Sequence, residues 1–186
     1  MAQINDVIDN PVTGERLTVL QTAQSSNGKE FAFELYARPH GAVAAEHIHP
    51  MQEEIFEVVK GTMRFSINGK QSDALAGEKV SVPPGTRHSW WNESNEELIA
   101  HVALRPALDS ETFFETLFGL ARDGKSNKQG LPNILQVAVL SSAYRNSMQL
   151  PLPAPALKIL YGLAVFARLL GYRASYPKYS RSNTGQ

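Results

Sequence analysis

No cysteine occurs among the 186 residues, which removes disulfide scaffolds, thiolate metal sites and cysteine nucleophiles together. Any metal must then be held by nitrogen and oxygen. A surplus of one charge is also missing, since Lys+Arg and Asp+Glu each total 18. No Lys/Arg run of the kind that tracks phosphates is present, so nucleic acid is not an expected partner. The N-terminus, MAQINDVIDNPVTGER, has acidic residues where a secretory signal carries positive charge, and it has no apolar h-region; a cytoplasmic location is expected. Uninterrupted hydrophobic runs are scarce. The most apolar stretch is Leu150–Tyr172, but Lys158 and Arg168 divide it and Pro151, Pro153 and Pro155 break its front. A membrane span needs roughly 20 continuous apolar residues. The expected role of 156–172 is a packed or dimer-interface helix, the second reading being an amphipathic helix lying at a membrane surface.

What is present reads as one domain with an appendage: 42% of the residues are hydrophobic, and the length suffices to bury a core. From about Glu15 to Arg105 short alternating runs are separated by turn residues, the pattern of an all-β sandwich or barrel. The expected strands are 16–21, 30–37, 42–47, 55–59, 62–67, 79–82, 88–91 and 97–104. Asn68-Gly69 marks a hairpin and Asn27-Gly28 a turn, because type I′ turns need positive φ at both central residues. After Pro106 the period changes from two to about 3.6. Asp109 or Ser110 caps a helix with Phe113, Phe114, Leu117, Phe118 and Ala121 on one face, stopped by Gly124. A second helix is expected from Pro132, at its first position, to about Arg145. These helices are expected to cover the outside of the barrel or a partner barrel.

Two segments concentrate the chemistry. In the first, Gly41-AVAAE-His47-Ile48-His49-PMQE-Glu54-IFEVVK-Gly61, the histidines lie two apart, so on a strand both leave the same face of the sheet and chelate. Pro50 and its neighbours let the chain turn and set a carboxylate opposite the imidazoles. Glu53 competes with Glu54 for that role, and parity with Phe56 and Val58 favours Glu54. In the second, Gly77-EKVSV-Pro83-Pro84-Gly85-TR-His88-SWW-Asn92, the Pro-Pro-Gly turn reverses the chain and leaves His88 at the start of an inward-running strand. Three neutral imidazoles and one carboxylate suit a borderline divalent ion, Mn, Fe, Ni, Co or Zn, with positions open to water or substrate.

These segments match the paired motifs G(X)5HXH(X)3–4E(X)6G and G(X)5PXG(X)2H(X)3N, and the chain thereby resembles the cupin superfamily. The resemblance implies a double-stranded β-helix, or jelly-roll barrel, for the domain over 1–106, while the change of period leads to an expected helical extension over 107–176 and the terminal position to an expected disordered tail over 177–186. It also implies metal ligands at His47, His49, Glu54 and His88. Candidates for the pocket around them are Trp90, Phe56, Met63 and Arg64. His101 is the candidate catalytic base or hydrogen-bonding support of a ligand; His40 is expected in a solvated loop. By the same resemblance the expected function is a metal-dependent, dioxygenase-like oxidoreductase of small molecules, with isomerase chemistry not separated from it. The alternative is a non-catalytic module that binds or senses a small molecule or sugar. The expected partners are a small-molecule substrate or ligand and a second copy of the chain in a homodimer.

Overall fold

The computed structural model describes residues 2–180. Ten strands come first, β1 (Val7–Asn10), β2 (Glu15–Gln21), β3 (Phe31–Ala37), β4 (His47–Ile48), β5 (Glu53–Lys60), β6 (Thr62–Ile67), β7 (Lys70–Leu75), β8 (Lys79–Val82), β9 (Arg87–Trp91) and β10 (Leu98–Arg105). Three helices follow, α1 (Ser110–Arg122), α2 (Ile134–Ala143) and α3 (Ala154–Leu169). The strands form a six-stranded sheet, β1-β2-β3-β10-β5-β8, and a four-stranded sheet, β4-β9-β6-β7, with antiparallel pairing throughout. The expected all-β architecture with helices after it is therefore observed.

Alternation explains which faces meet. Phe31, Phe33, Leu35 and Ala37 of β3 are buried, as are Leu98, Ala100, Val102 and Leu104 of β10, while their neighbours point outward. Phe56 of β5 and Phe65 of β6 meet edge to face across the sheets at 5.1 Å between ring centroids. Asn68 and Gly69 carry φ of 49° and 78°, as the hairpin between β6 and β7 requires. Gly61 ends β5 at φ 84°, where a Cβ would come within 2.8 Å of the Glu97 carbonyl oxygen.

Several expectations are corrected. Strand β1, only four residues long, is not among the expected strands, whereas β7 is the polar return of the hairpin expected at Asn68-Gly69 and is almost wholly exposed. Of 42–47 only His47 belongs to a strand, Ala42 making an isolated bridge to Trp91. Helix α2 starts after Pro132, because the Asn133 side chain accepts hydrogen bonds from the backbone of Leu135 and Gln136 and so caps it. The tail is ordered at least to Ser180: Tyr179 is buried and donates to Asp123 at 2.7 Å. The rest of that stretch, 181–186, lies outside the described residues.

The helices do more than coat the barrel. The six-stranded sheet is wider than its partner, and α1 lays Phe114 against Phe31 and Phe33 on the inner face of β3, with centroids 6.1 and 5.4 Å apart. Gln52, fully buried, fastens the start of β5 to the start of α1 by donating to the carbonyls of Pro106 and Ala107 and to the Ser110 hydroxyl. Helix α3 packs Leu160, Ala164 and Ala167 with α2 residues Ala138 and Val139 and leaves Ile159, Val165, Phe166 and Leu169 exposed. Among the described residues no helix is long and apolar enough to cross a membrane.

Candidate metal centre

His47 and His88 are direct cross-strand partners in the β4–β9 pair, so two imidazoles from distant parts of the chain start side by side. His49 follows His47 on the same face, and Glu54 reaches in from β5 in the opposite sheet. One donor atom from each of His47, His49, Glu54 and His88 lies within 4.8 Å of the others, and all four residues are buried. The ring centroids of His47 and His88 are 4.4 Å apart, those of His47 and His49 4.9 Å.

Each imidazole is oriented from behind. The Nδ1–H groups of His47, His49 and His88 donate to the backbone carbonyls of Ala45, Ser147 and Thr86. A carbonyl can only accept, so Nδ1 carries a proton in all three rings, and Nε2 of each ring is the atom turned forward to where a metal would bind. His88 Nε2 stands 2.7 Å from Glu54 Oε2, and His49 Nε2 approaches the same oxygen at 3.3 Å without the alignment of a hydrogen bond. Nε2 of His49 is thus buried with no hydrogen-bond partner among the described residues. Three Nε2 atoms and a carboxylate converge, so a cation is called for among them, a proton on His88 Nε2 in the metal-free chain or a metal ion, and the donor set is the one a borderline divalent ion accepts.

The protonation equilibria agree with the geometry. Burial, then the neighbouring imidazoles of His49 and His88, push His47 down to about 3. Burial alone would raise Glu54, but attraction to His49 and His88, together with the hydrogen bond from His88 Nε2, outweighs it and holds the carboxyl well below the usual range. For His88 burial lowers the value, and the hydrogen bond that its Nε2–H donates to the Glu54 carboxylate, with their attraction, reverses it upward.

Beside these residues lies a cavity of about 90 Å³, space for roughly six to nine water-sized groups at about 10–15 Å³ each. Barrel residues Leu17, Leu35, Phe56 and Trp90 line one part. The helical segment supplies the rest, with Phe113, Phe114 and Phe118 of α1, Val137 and Leu140 of α2, and Met148 beyond it. The extension also supplies the Ser147 carbonyl behind His49, and Gln149 exchanges two backbone hydrogen bonds of 2.9 Å with Ile48, between the two histidines. The expectation that the helices only cover the outside is therefore corrected: they close the cavity and seat one of its imidazoles.

Other sequence candidates fall elsewhere. Phe56 and Trp90 face the cavity, whereas Met63 is fully buried in the core and absent from the lining. Arg64 is half-exposed, bound to Asp73 at 2.7 Å and to Glu93, on the outer face of β6. His101 also points outward, 3.7 Å from Glu34, and cannot reach the centre. Glu53 accepts from the Ser81 hydroxyl away from the site, and exposed His40 bonds Asn95 at 3.0 Å. Asn92 is structural: its amide donates to the carbonyls of Arg38 and Glu96. Several cavity residues escaped the sequence reading, among them Leu17, Leu35 and the phenylalanines of α1, and one of them carries a carboxyl. Glu15, at the head of β2, lines the cavity beside His47 and Glu54 and is 5% exposed.

Residues 35–104, which contain all four clustered side chains, match the family model described as Cupin domain. The barrel is a cupin domain. The fold is shared with KdgF from Halomonas sp., at 16% identity and TM-score 0.50 over 57% of this chain and 90% of that one. It is shared too with an RmlC-like cupin from Shewanella frigidimarina, at 18% identity and TM-score 0.50 over 60% of this chain and 92% of that one.

Among curated proteins, this cupin is similar to an oxidoreductase of Arthrobotrys oligospora, 24% identical over 155 residues, which are 75% of this chain and 60% of that protein. It is also similar to "Probable oxidoreductase yanE" of Aspergillus niger, 24% identical over 177 residues, 82% of this chain and 68% of that protein. Quercetin 2,3-dioxygenase of Bacillus subtilis is 29% identical over 109 residues, 59% of this chain but only 32% of that protein. The chain thus spans about two thirds or less of the length of each. The first two alignments cover more of the chain than a barrel ending at Arg105 can supply, so they reach into the helical segment.

Proposed function

We propose that this cupin is a metal-dependent oxidoreductase, dioxygenase-like in its chemistry, that acts on a small, largely apolar, oxygen-bearing molecule at a mononuclear centre of His47, His49, Glu54 and His88. The observation that carries the reading is the convergence of three forward-facing Nε2 atoms and one carboxylate, all buried, on the wall of an apolar cavity. A divalent Fe, Mn, Ni, Co or Zn ion bound there would supply Lewis-acid polarisation or, for the redox-active metals, electron transfer at a substrate oxygen. The names of the three curated relatives, two oxidoreductases and a dioxygenase, support the reaction class.

The chain's own residues do the rest. Backbone carbonyls of Ala45, Ser147 and Thr86 hold the three protons on Nδ1, so no imidazole needs to reorient on metal binding. Glu54 stays ionised and lowers the net charge of the centre. The phenylalanines of α1 exclude water from the space beside it, which strengthens every electrostatic contact made there. Among the described residues no Lys or Arg lines the cavity, so a phosphorylated or multiply anionic substrate has no partner from them there other than the metal.

Metal analysis of protein purified without chelators, followed by oxygen uptake with enediols, catechols and 1,3-diketones after Fe, Mn or Ni is restored, tests the proposal. Uptake that disappears in His49→Ala supports it. Tight binding without uptake supports instead a sensing or binding module, and a protein that takes up no transition metal refutes both. Sugar isomerisation is assayed separately.

A further inference from the structure

The inner row of β2 reads Glu15, Leu17, Val19, with 5%, 1% and 0% exposure. Alternation calls for an apolar side chain at its first place, as at the other two, and a carboxyl stands there. Thr13 donates to Glu15 Oε2 at 2.7 Å, and among the described residues no other group bonds the carboxyl and no cation faces it. The charged or titratable groups that share the cavity with it are His47 and Glu54. Glu54 is of like sign, and together with burial, the larger cause, it pushes Glu15 up to about 7. Across the β1–β2 pair Glu15 lies opposite Asn10, whose Oδ1 accepts from the backbone of Val12 and Thr13. The amide orientation is thereby settled, and Nδ2 is left buried without a partner. A leucine at position 15 would fill the same space without desolvating a carboxyl. A buried carboxyl with a single hydrogen bond and no facing cation, in an apolar cavity next to a candidate reaction centre, marks a ligand contact more than a structural one.

We propose that Glu15 is a specificity-determining residue of the cavity, hydrogen-bonding a neutral hydroxyl group of the bound molecule at a place apart from the four clustered metal-site side chains and disfavouring an anionic group there. This rests on the reading of the cavity as a substrate site, and it narrows the substrate class to apolar molecules, phenols or alcohols in kind, with a hydroxyl besides the oxygen directed to the centre. Thr13 occupies one carboxyl oxygen, Oε2, and leaves the other without a hydrogen bond among the described residues.

The test compares phenol with toluene, equal in size and differing in one hydroxyl, and with benzoate, by quenching of tryptophan fluorescence in the full-length, chelator-treated chain, where Trp90 lines the cavity and Trp91 contributes a background common to every variant. Wild type is expected to favour phenol over toluene by about three- to tenfold more than Glu15→Leu does, the range one net hydrogen bond provides. Glu15→Gln, neutral and isosteric, is expected to keep the preference for phenol and to relax the exclusion of benzoate. Circular dichroism checks folding, and Glu15→Ala serves if the leucine variant does not fold. An unchanged phenol-to-toluene ratio in the leucine variant overturns the proposal, as does the failure of every probe to bind wild type. Because these ratios are read without metal, they fail independently of the proposed reaction, which fails instead if metal analysis of wild type, run in parallel, finds none.

Discussion

Replacing Glu15 by Gln is expected to make stability less sensitive to pH, and the structure sets both the sign and the size of the change. The carboxyl is buried in an apolar cavity with no cation, so its value rises from 4.5 to about 7 on folding. Between those two values the folded chain holds a proton that the unfolded chain has released. Stability therefore falls as pH rises through that window and levels off above about 7. At about 1.36 kcal/mol per pKa unit, the contribution reaches about 3 kcal/mol as an upper bound. Glutamine cannot ionise and keeps the hydrogen bond from Thr13, so the variant loses this slope. Whatever fixed cost its amide carries applies equally at every pH. Urea unfolding of both proteins at pH 5, 6, 7 and 8, with chelator present to remove metal binding from the comparison, measures the difference. The variant's stability relative to wild type should climb by about 2–3 kcal/mol from pH 5 to pH 8. Other titrating groups are common to both chains and cancel. A difference that stays flat to within about 0.5 kcal/mol over that range would show that Glu15 is hydrated or paired in solution, and it would refute the reasoning.

Metal at a hundredfold excess over its dissociation constant should stabilise the chain by about 2.7 kcal/mol, raising the melting temperature by roughly 5–11 °C for a chain of this size; thermal scans with and without chelator read it, and His49→Ala should show no rise. Gln149→Pro removes the backbone donor to Ile48, loosens the Ser147 carbonyl behind His49 and should weaken metal affinity by about 10–100-fold in competition with a chromophoric chelator. Phe118→Ala, cut from a side chain 2% exposed, should cost about 3–5 kcal/mol in urea unfolding and admit bulkier probes to the cavity. His101→Ala and Arg64→Ala should retain the metal content and oxygen uptake of wild type, because both side chains lie on outer faces.

The centre was legible because its ingredients are local. Period-two alternation puts His47 and His49 on one face and chooses Glu54 over Glu53, and a Pro-Pro-Gly turn delivers His88; each step spans fewer than ten residues. The same alternation held unused information. On β10 the buried positions are Leu98, Ala100, Val102 and Leu104, which sends His101 outward, and Met63 and Phe65 do the same to Arg64. Glu15 was missed by one residue: a strand begun at Arg16 leaves it in the preceding turn, where a carboxylate reads as solvated, whereas parity with Leu17 and Val19 turns it inward.

The helical segment had no such local signature, since nothing in the spacing of Phe113, Phe114, Leu117 and Phe118 says what that apolar face covers. The answer is a property of the sheets. The larger one has two more strands than the smaller, so part of its inner face has no sheet opposite and must be buried by something else. Once α1 and α2 fill that gap, the loop after α2 is brought to β4, and Ser147 reaches His49 across 98 positions of sequence. Closing the sandwich and orienting a metal-site imidazole are then one structural event. A barrel cut after Arg105 would lose the carbonyl that sets the His49 tautomer along with the wall of its cavity.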